Sequence, residues 1–185
     1  VSVKLRIGWD QASRSYLAFS QAALDGGADL LTLHARTRSQ GYAPFAEWET
    51  LSILKRYTVD HGYRVPVFGS GDLFAPIDAK RMLKETGIDG VMFARGAIGN
   101  PTIFSQTKAL LCGEEPAIPS RAEIRTLIMR HLDLMIEHAG ETAACKAMRK
   151  HAAAYLKGIA GSSAIKQRLV LAVKRDEYER ALVDL

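Results

Sequence analysis

The sequence predicts an α/β fold, a run of parallel strands alternating with helices, followed by a small all-helical domain. Three observations predict it. Strand-like and helix-like segments alternate four times before residue 112. Each strand-like run ends in a polar or glycine-rich loop, and beyond residue 120 only helical patterning remains. A chain of 185 residues, 48% hydrophobic and 24% charged, has the balance of a soluble globular protein.

The elements follow in order. Residues 1–7 alternate as a strand, with Val1, Val3, Leu5 and Ile7 on one face and Lys4 and Arg6 on the other. A helix is expected over 15–25, stopped by Gly26-Gly27. The second strand is 29–34, with a helix over 47–59 after its loop. The third is the run Val65-Pro66-Val67-Phe68, ended by "GSGD" at 69–72, and a helix follows over 76–86 with Pro76 in its tolerant first turn. The fourth strand is 90–94, leading into "RGAIGN" and a helix opening at Pro101.

Alternation at this spacing implies a parallel sheet, either an open doubly wound one or part of a (β/α)8 barrel. Open sheets carry longer β-branched runs buried on both faces. Here the strands are short and their loops read "RIGWD", "HARTRSQG", "GSGD" and "ARGAIGN". Barrel active sites are assembled from such loops on one face, and four units are half of eight, so the expectation is half of a (β/α)8 TIM barrel. Val1 is not a methionine and the chain opens inside a strand, which suggests a fragment. Residues 113–119, with two prolines and a Gly-Glu-Glu cluster in "CGEEPAIPS", read as a linker. Ser120 with Glu123 forms a capping-box signature opening the helical domain at 120–185.

Several classes are excluded or weakened by composition. No stretch approaches the roughly 18 apolar residues of a membrane span, and no signal peptide opens the chain. Cys112 and Cys145 are too few for a disulfide framework and lack metal-ligand spacing, as expected of free thiols in a reducing cytoplasm. The net charge of +5 points weakly to a polyanionic partner.

The fourth loop is the strongest phosphate candidate. Gly96 and Gly99 permit close backbone approach to an anion, Asn100-Pro101 reads as an N-cap with a first helical residue, and Arg95 stands beside them. A tight turn with no ligand would use the same residues. "GSGD" gains weight as the neighbouring strand end. Lys4 and Arg6 face what would be the barrel lumen, where a lysine needs an anionic partner. A lone His34 is more often structural, but Lys4, Arg36 and Arg95 at corresponding strand ends favour a functional role. In the helical region, Lys146, Arg149, Lys150, Lys157, Lys166, Arg168, Lys174 and Arg175 lie in a window, 142–175, without one Asp or Glu. Solvated faces mix signs, so this window, with His151 and Tyr155 in it, favours a phosphate backbone as partner.

Together the segments "VKLRIGW" (3–9), "LTLHARTR" (31–38), "VPVFGSGDL" (65–73), "GVMFARGAIGNPTIF" (90–104) and "AMRKHAAAYLKG" (147–158) resemble the tRNA-dihydrouridine synthase family. The resemblance implies a flavin-binding (β/α)8 barrel with a helical RNA-binding domain, residues 1–112 being the C-terminal half of a (β/α)8 TIM barrel and 120–185 the helical domain, with FMN as cofactor, NADPH as reductant and tRNA as substrate. It places Lys4 and His34 against the flavin ring system, and Ser70, Gly71, Asp72, Ala94 and Arg95 at the FMN phosphate and ribityl chain. Arg36 and Arg38 then face the substrate side, and Arg149, Lys150 and Tyr155 would meet tRNA. The chain departs from the family pattern at Ala35 and Ala94, where glycine is usual, and at Ser70, where asparagine is usual. The family's proton-donating cysteine is expected upstream of Val1, and neither Cys112 nor Cys145 stands in its context, so no catalytic residue is assigned. The resemblance further implies hydride transfer to uracil C6, on a base extruded from its stack. The unpaired edges of a half-barrel are expected to favour self-association. Two alternatives remain open at this point: another FMN- or phosphate-binding TIM-barrel enzyme acting on a small molecule, and a non-catalytic RNA-binding protein.

Overall fold

The computed structural model describes residues 1–185. They form an α/β protein with a four-stranded parallel sheet and eight α-helices, divided into two compact units. The first comprises residues 1–96 and 103–115, and the second 97–102 and 116–185.

In the first unit, β1 (Ser2–Arg6), β2 (Leu30–His34), β3 (Val67–Ser70) and β4 (Gly90–Val91) lie side by side in sequence order, all parallel. Each connection carries a helix: α1 (Tyr16–Asp25), α2 (Glu49–Asp60) and α3 (Pro76–Thr86). The register pairs Arg6 with His34 and His34 with Ser70, so three polar residues meet at one end of the sheet. Ile7, Leu31, Leu33, Leu51, Leu54, Val67 and Met82 are fully buried between sheet and helices and form the core that holds this edge.

The third strand, the fourth strand and the helix after it differ from the sequence reading. The third strand takes Val67–Ser70 instead of ending before "GSGD". Pro66 has no N–H for the ladder; its carbonyl accepts the Leu31 amide at 3.1 Å, and strand pairing proper starts one residue later. At the other end the Ser70 carbonyl accepts the Ala35 amide at 3.1 Å, which draws Gly69 and Ser70 into the sheet.

The fourth strand is only Gly90–Val91, and the following helix α4 (Ile103–Leu111) opens two residues beyond Pro101. Between them Arg95–Ala97 makes one 3₁₀ turn. Asn100 does not cap α4; its side chain accepts from Thr102 Oγ1 at 2.8 Å. Gly96 and Gly99 are both required by close protein packing. A Cβ on Gly96 would lie 2.1 Å from the Leu73 carbonyl, and one on Gly99 (φ +73°) would lie 2.5 Å from the Ala154 backbone. Gly99 and the rest of 97–102 therefore pack with the second unit, although the sequence reading placed them in the first.

The second unit contains α5 (Arg121–Ala139), α6 (Glu141–Tyr155), α7 (Ser162–Leu171) and α8 (Arg175–Ala181). The Ser120–Glu123 capping box closes as the sequence implies. Glu123 N donates to Ser120 Oγ at 3.2 Å and Ser120 N to Glu123 Oε2 at 2.7 Å. Its core gathers Ile128, Leu132, Met148, Ala152, Tyr178 and Leu182, all fully buried. No helix is long and apolar enough to cross a membrane.

Candidate functional site

The C-terminal strand ends and the loops after them enclose a cavity of about 200 Å³. Lys4, His34, Ser70, Gly71, Asp72, Ala94 and Arg95 all line it, together with Arg6, Tyr42, Leu73, Phe74 and Met92. Residues spread over more than ninety positions thus converge, because parallel strands in register deliver their ends to one place.

The wall is built of cations. Lys4 lies on the same strand face as Arg6, whose guanidinium donates to the Thr37 carbonyl at 2.8 Å. Burial, and then the charge of Arg6, holds the Lys4 ammonium below the ordinary lysine range. Burial also pushes the His34 imidazole down to about 4, helped by Arg6, Lys4, Arg36 and Arg95. His34 is therefore neutral at pH 7, a hydrogen-bonding ring among positive charges.

Asp72 is the only carboxylate on the wall. Burial acts to raise its affinity for a proton. Hydrogen bonds from Arg36 and the Ala46 amide, with the charges of Arg36 and Arg95, outweigh burial and keep it below the usual carboxylate range. The Arg95 guanidinium stands 3.8 Å over the Tyr42 ring and 5.0 Å from the Phe74 ring, and reaches Asp72 at 3.3 Å. Two aromatic faces and one carboxylate hold it at the rim. Gly71 has φ +129°, and a Cβ there would sit 3.3 Å from the His34 ring and 2.7 Å from Ala46. Only glycine brings backbone that close to the imidazole.

Two expectations, for Arg36 and Tyr155, are corrected. Arg36 does not face a substrate: its side chain is 1% exposed, and it donates to Asp72 at 2.6 Å and to the Tyr42 and Pro44 carbonyls at 3.1 Å. Tyr155 is buried in the helical core, with its hydroxyl 3.4 Å from His131 Nδ1. Arg149 is half-buried and donates to the Ala172 carbonyl at 3.0 Å, which ties α6 to the end of α7. Arg38 and Lys150 are exposed.

Arg6, Tyr42, Phe74 and Met92 were not among the residues singled out as ligands. Arg6 could have been, because strand alternation sets it beside Lys4. Tyr42 and Phe74 lie in loops, where no periodicity marks a direction.

The His34 environment has a measurable consequence. Protonation is resisted in the folded state, so the contribution is complete above pH 6.5, the ordinary histidine value, and is lost as pH falls toward 4. About 2 kcal/mol is expected to go between pH 6.5 and 5. Half-buried His151 shifts the same way, from burial first and then His131 and Lys150. The informative quantity is therefore the difference between wild type and His34→Gln. Urea denaturation at pH 7 and pH 5 should show a smaller loss in the variant; equal losses would disprove the assignment.

Comparison with known proteins shows the family of the chain. The family model described as "Dihydrouridine synthase" matches residues 1–184. The chain belongs to the dihydrouridine synthase family. It is 43% identical over its whole length to a probable tRNA-dihydrouridine synthase of Treponema pallidum, covering 54% of that protein. Over 97% of its length it is 37% identical to one of Mycobacterium tuberculosis (strain ATCC 25618 / H37Rv), covering 45% of it. A third, "Probable tRNA-dihydrouridine synthase 1" of Synechocystis, is 37% identical over 91% of the chain, which covers 46% of that protein. The chain spans about half the length of the curated relatives it matches.

Proposed function

We propose that this dihydrouridine synthase chain provides the cofactor-holding strand ends and the RNA-facing helices of an enzyme that reduces uridines in tRNA to 5,6-dihydrouridine. FMN is the cofactor of this reading and NADPH its reductant. The observation that carries it is the convergence of all seven residues expected at a flavin onto one cation-walled cavity.

The residues suit that group. A phosphate monoester needs positive charge and polar donors, which Arg95 and Lys4 with the backbone at Ser70, Gly71 and Ala94 supply. Gly71 lets the backbone lie directly against His34 and Ala46, where a Cβ would collide with both. The neutral imidazole of His34 and the ammonium of Lys4 would face the ring system, where a hydrogen-bond partner and a positive charge stabilise electron-rich nitrogen and oxygen atoms. Bound FMN would supply the hydride that uracil C6 receives. The proton for C5 has no donor in this reading among the chain's cysteines. Cys145 is buried in the helical core, where burial pushes its thiol up, and Cys112 is exposed just beyond α4. We place β1–β4 as consecutive units of a (β/α)8 barrel within residues 1–112, 113–119 as linker, and 120–185 as the tRNA-binding domain. The outer edges of β1 and β4 have no partner strand, and self-association through them belongs to the same reading.

Support for tRNA comes from the lysines of the helical unit. Arg168 pairs with Asp184, and Arg175 with Asp133 and Glu179, so those charges are balanced. Lys146 and Lys150, one turn apart on α6, are exposed and form no ion pair. Replacing both with glutamate should weaken tRNA binding and lower the log–log salt slope by about one unit for each phosphate no longer neutralised. A filter-binding titration with unchanged affinity and slope would refute an RNA role for this face.

A further inference from the structure

Two guanidiniums share the single carboxylate of the cavity wall. Arg36 Nη2 lies 2.7 and 2.6 Å from the two oxygens of Asp72, and Arg95 Nη2 lies 3.3 Å from one of them. The Ala46 amide adds a bond at 2.8 Å. Charge-assisted bonds are normally about 2.7–2.9 Å, so Arg36 holds Asp72 firmly and Arg95 holds it loosely. Their exposures match this division. Arg36 is 1% exposed and does not line the cavity, while Arg95 is 37% exposed and does. Arg36 also donates through Nε to the Pro44 carbonyl at 3.2 Å and through Nη2 to the Tyr42 carbonyl at 3.1 Å, fixing the loop whose Tyr42 ring underlies Arg95.

We propose that Arg36 is a positioning residue that neutralises Asp72 and so leaves Arg95 available to the phosphate of a bound flavin mononucleotide. This rests on the flavin reading given above. Asp72 and a phosphate compete for the same guanidinium, and Arg36 decides the competition. Without it, the nearest cation left to Asp72 is Arg95, which has to move only about half an ångström to reach ordinary charge-assisted distance. The cavity then loses the cation at its rim while keeping its shape and its ring-facing residues.

FMN and riboflavin share ring and ribityl chain and differ by the phosphate, so the ratio of their affinities isolates the phosphate interaction. Both are titrated by fluorescence quenching into the 185-residue chain and its variants. The wild type should prefer FMN, and Arg36→Gln should reduce that preference about tenfold or more through FMN alone. Arg36→Gln combined with Asp72→Asn should restore it, because the competing charge is gone. Asparagine suits the position, since Asp72 has φ 55°, a conformation that Asn tolerates. Arg36→Lys keeps the charge without the fork to the carbonyls and should retain most of the preference. Asp72→Asn alone should raise it above wild type, which keeps the test intact if Arg36→Gln fails to fold.

A residue that merely tied the loop would lower both flavins together, would be as damaged by lysine as by glutamine, and would not be rescued by Asp72→Asn. Any of those results overturns the proposal. A chain that binds FMN and riboflavin equally overturns it while leaving a flavin cavity standing, and a chain that binds neither removes both readings.

Discussion

Arg95→Ala is expected to weaken FMN binding at least tenfold. A charge-assisted hydrogen bond contributes roughly 1.5–3 kcal/mol, and Arg95 stands at the cavity rim with only a long bond to a carboxylate. Its only anionic partner is Asp72 at 3.3 Å, already held by Arg36, and the Tyr42 ring at 3.8 Å fixes its plane without using its donors. The loss should appear in flavin-fluorescence titrations as a raised dissociation constant, with folding intact, because a side chain 37% exposed at the rim carries little of the core. An unchanged constant would mean that Arg95 does not contact the phosphate.

Tyr178→Ala should cost the helical unit about 3–5 kcal/mol, the range for deleting a large buried aromatic. Tyr178 is fully buried among Met148, Leu132 and Leu182, and its hydroxyl donates to the Cys145 carbonyl at 2.7 Å, joining α8 to α6. Domains are stable by only about 5–15 kcal/mol, so this change removes a large share and with it the α6 surface proposed for RNA. Tyr178→Phe keeps the ring and should cost only about 1 kcal/mol, since the Cys145 carbonyl retains its bond within α6. Thermal denaturation followed by circular dichroism separates the two. Similar midpoints for Ala and Phe would show that the ring does not anchor the helices.

The alternation of strand and helix and the capping box at Ser120 were legible because each follows from local pattern. What the sequence concealed depends on distant partners. Arg36 resembles Arg38 in the motif "HARTR", yet its partner Asp72 lies on another loop and turns it inward. Gly99 looks like a residue that makes room for an anion, and the room is taken by the backbone of α6. Tyr155 and Arg149 sit among exposed lysines in sequence, but helical periodicity rotates Tyr155 into the core and leaves Arg149 half-buried against the carbonyl of Ala172. Pro66 shifts β3 by an amount that no propensity could show, because the bond its carbonyl accepts comes from β2.

The claim on which the account rests is that the strand ends of β1–β4 hold the flavin. Titrating FMN into the isotopically labelled chain and following His34 and the backbone amides by NMR tests it most directly. The account predicts saturable shifts confined to the His34 ring and the amides of Gly71, Asp72, Ala94 and Arg95, with the helical unit unmoved. Shifts clustered on other surfaces, or none at saturating FMN, would contradict it.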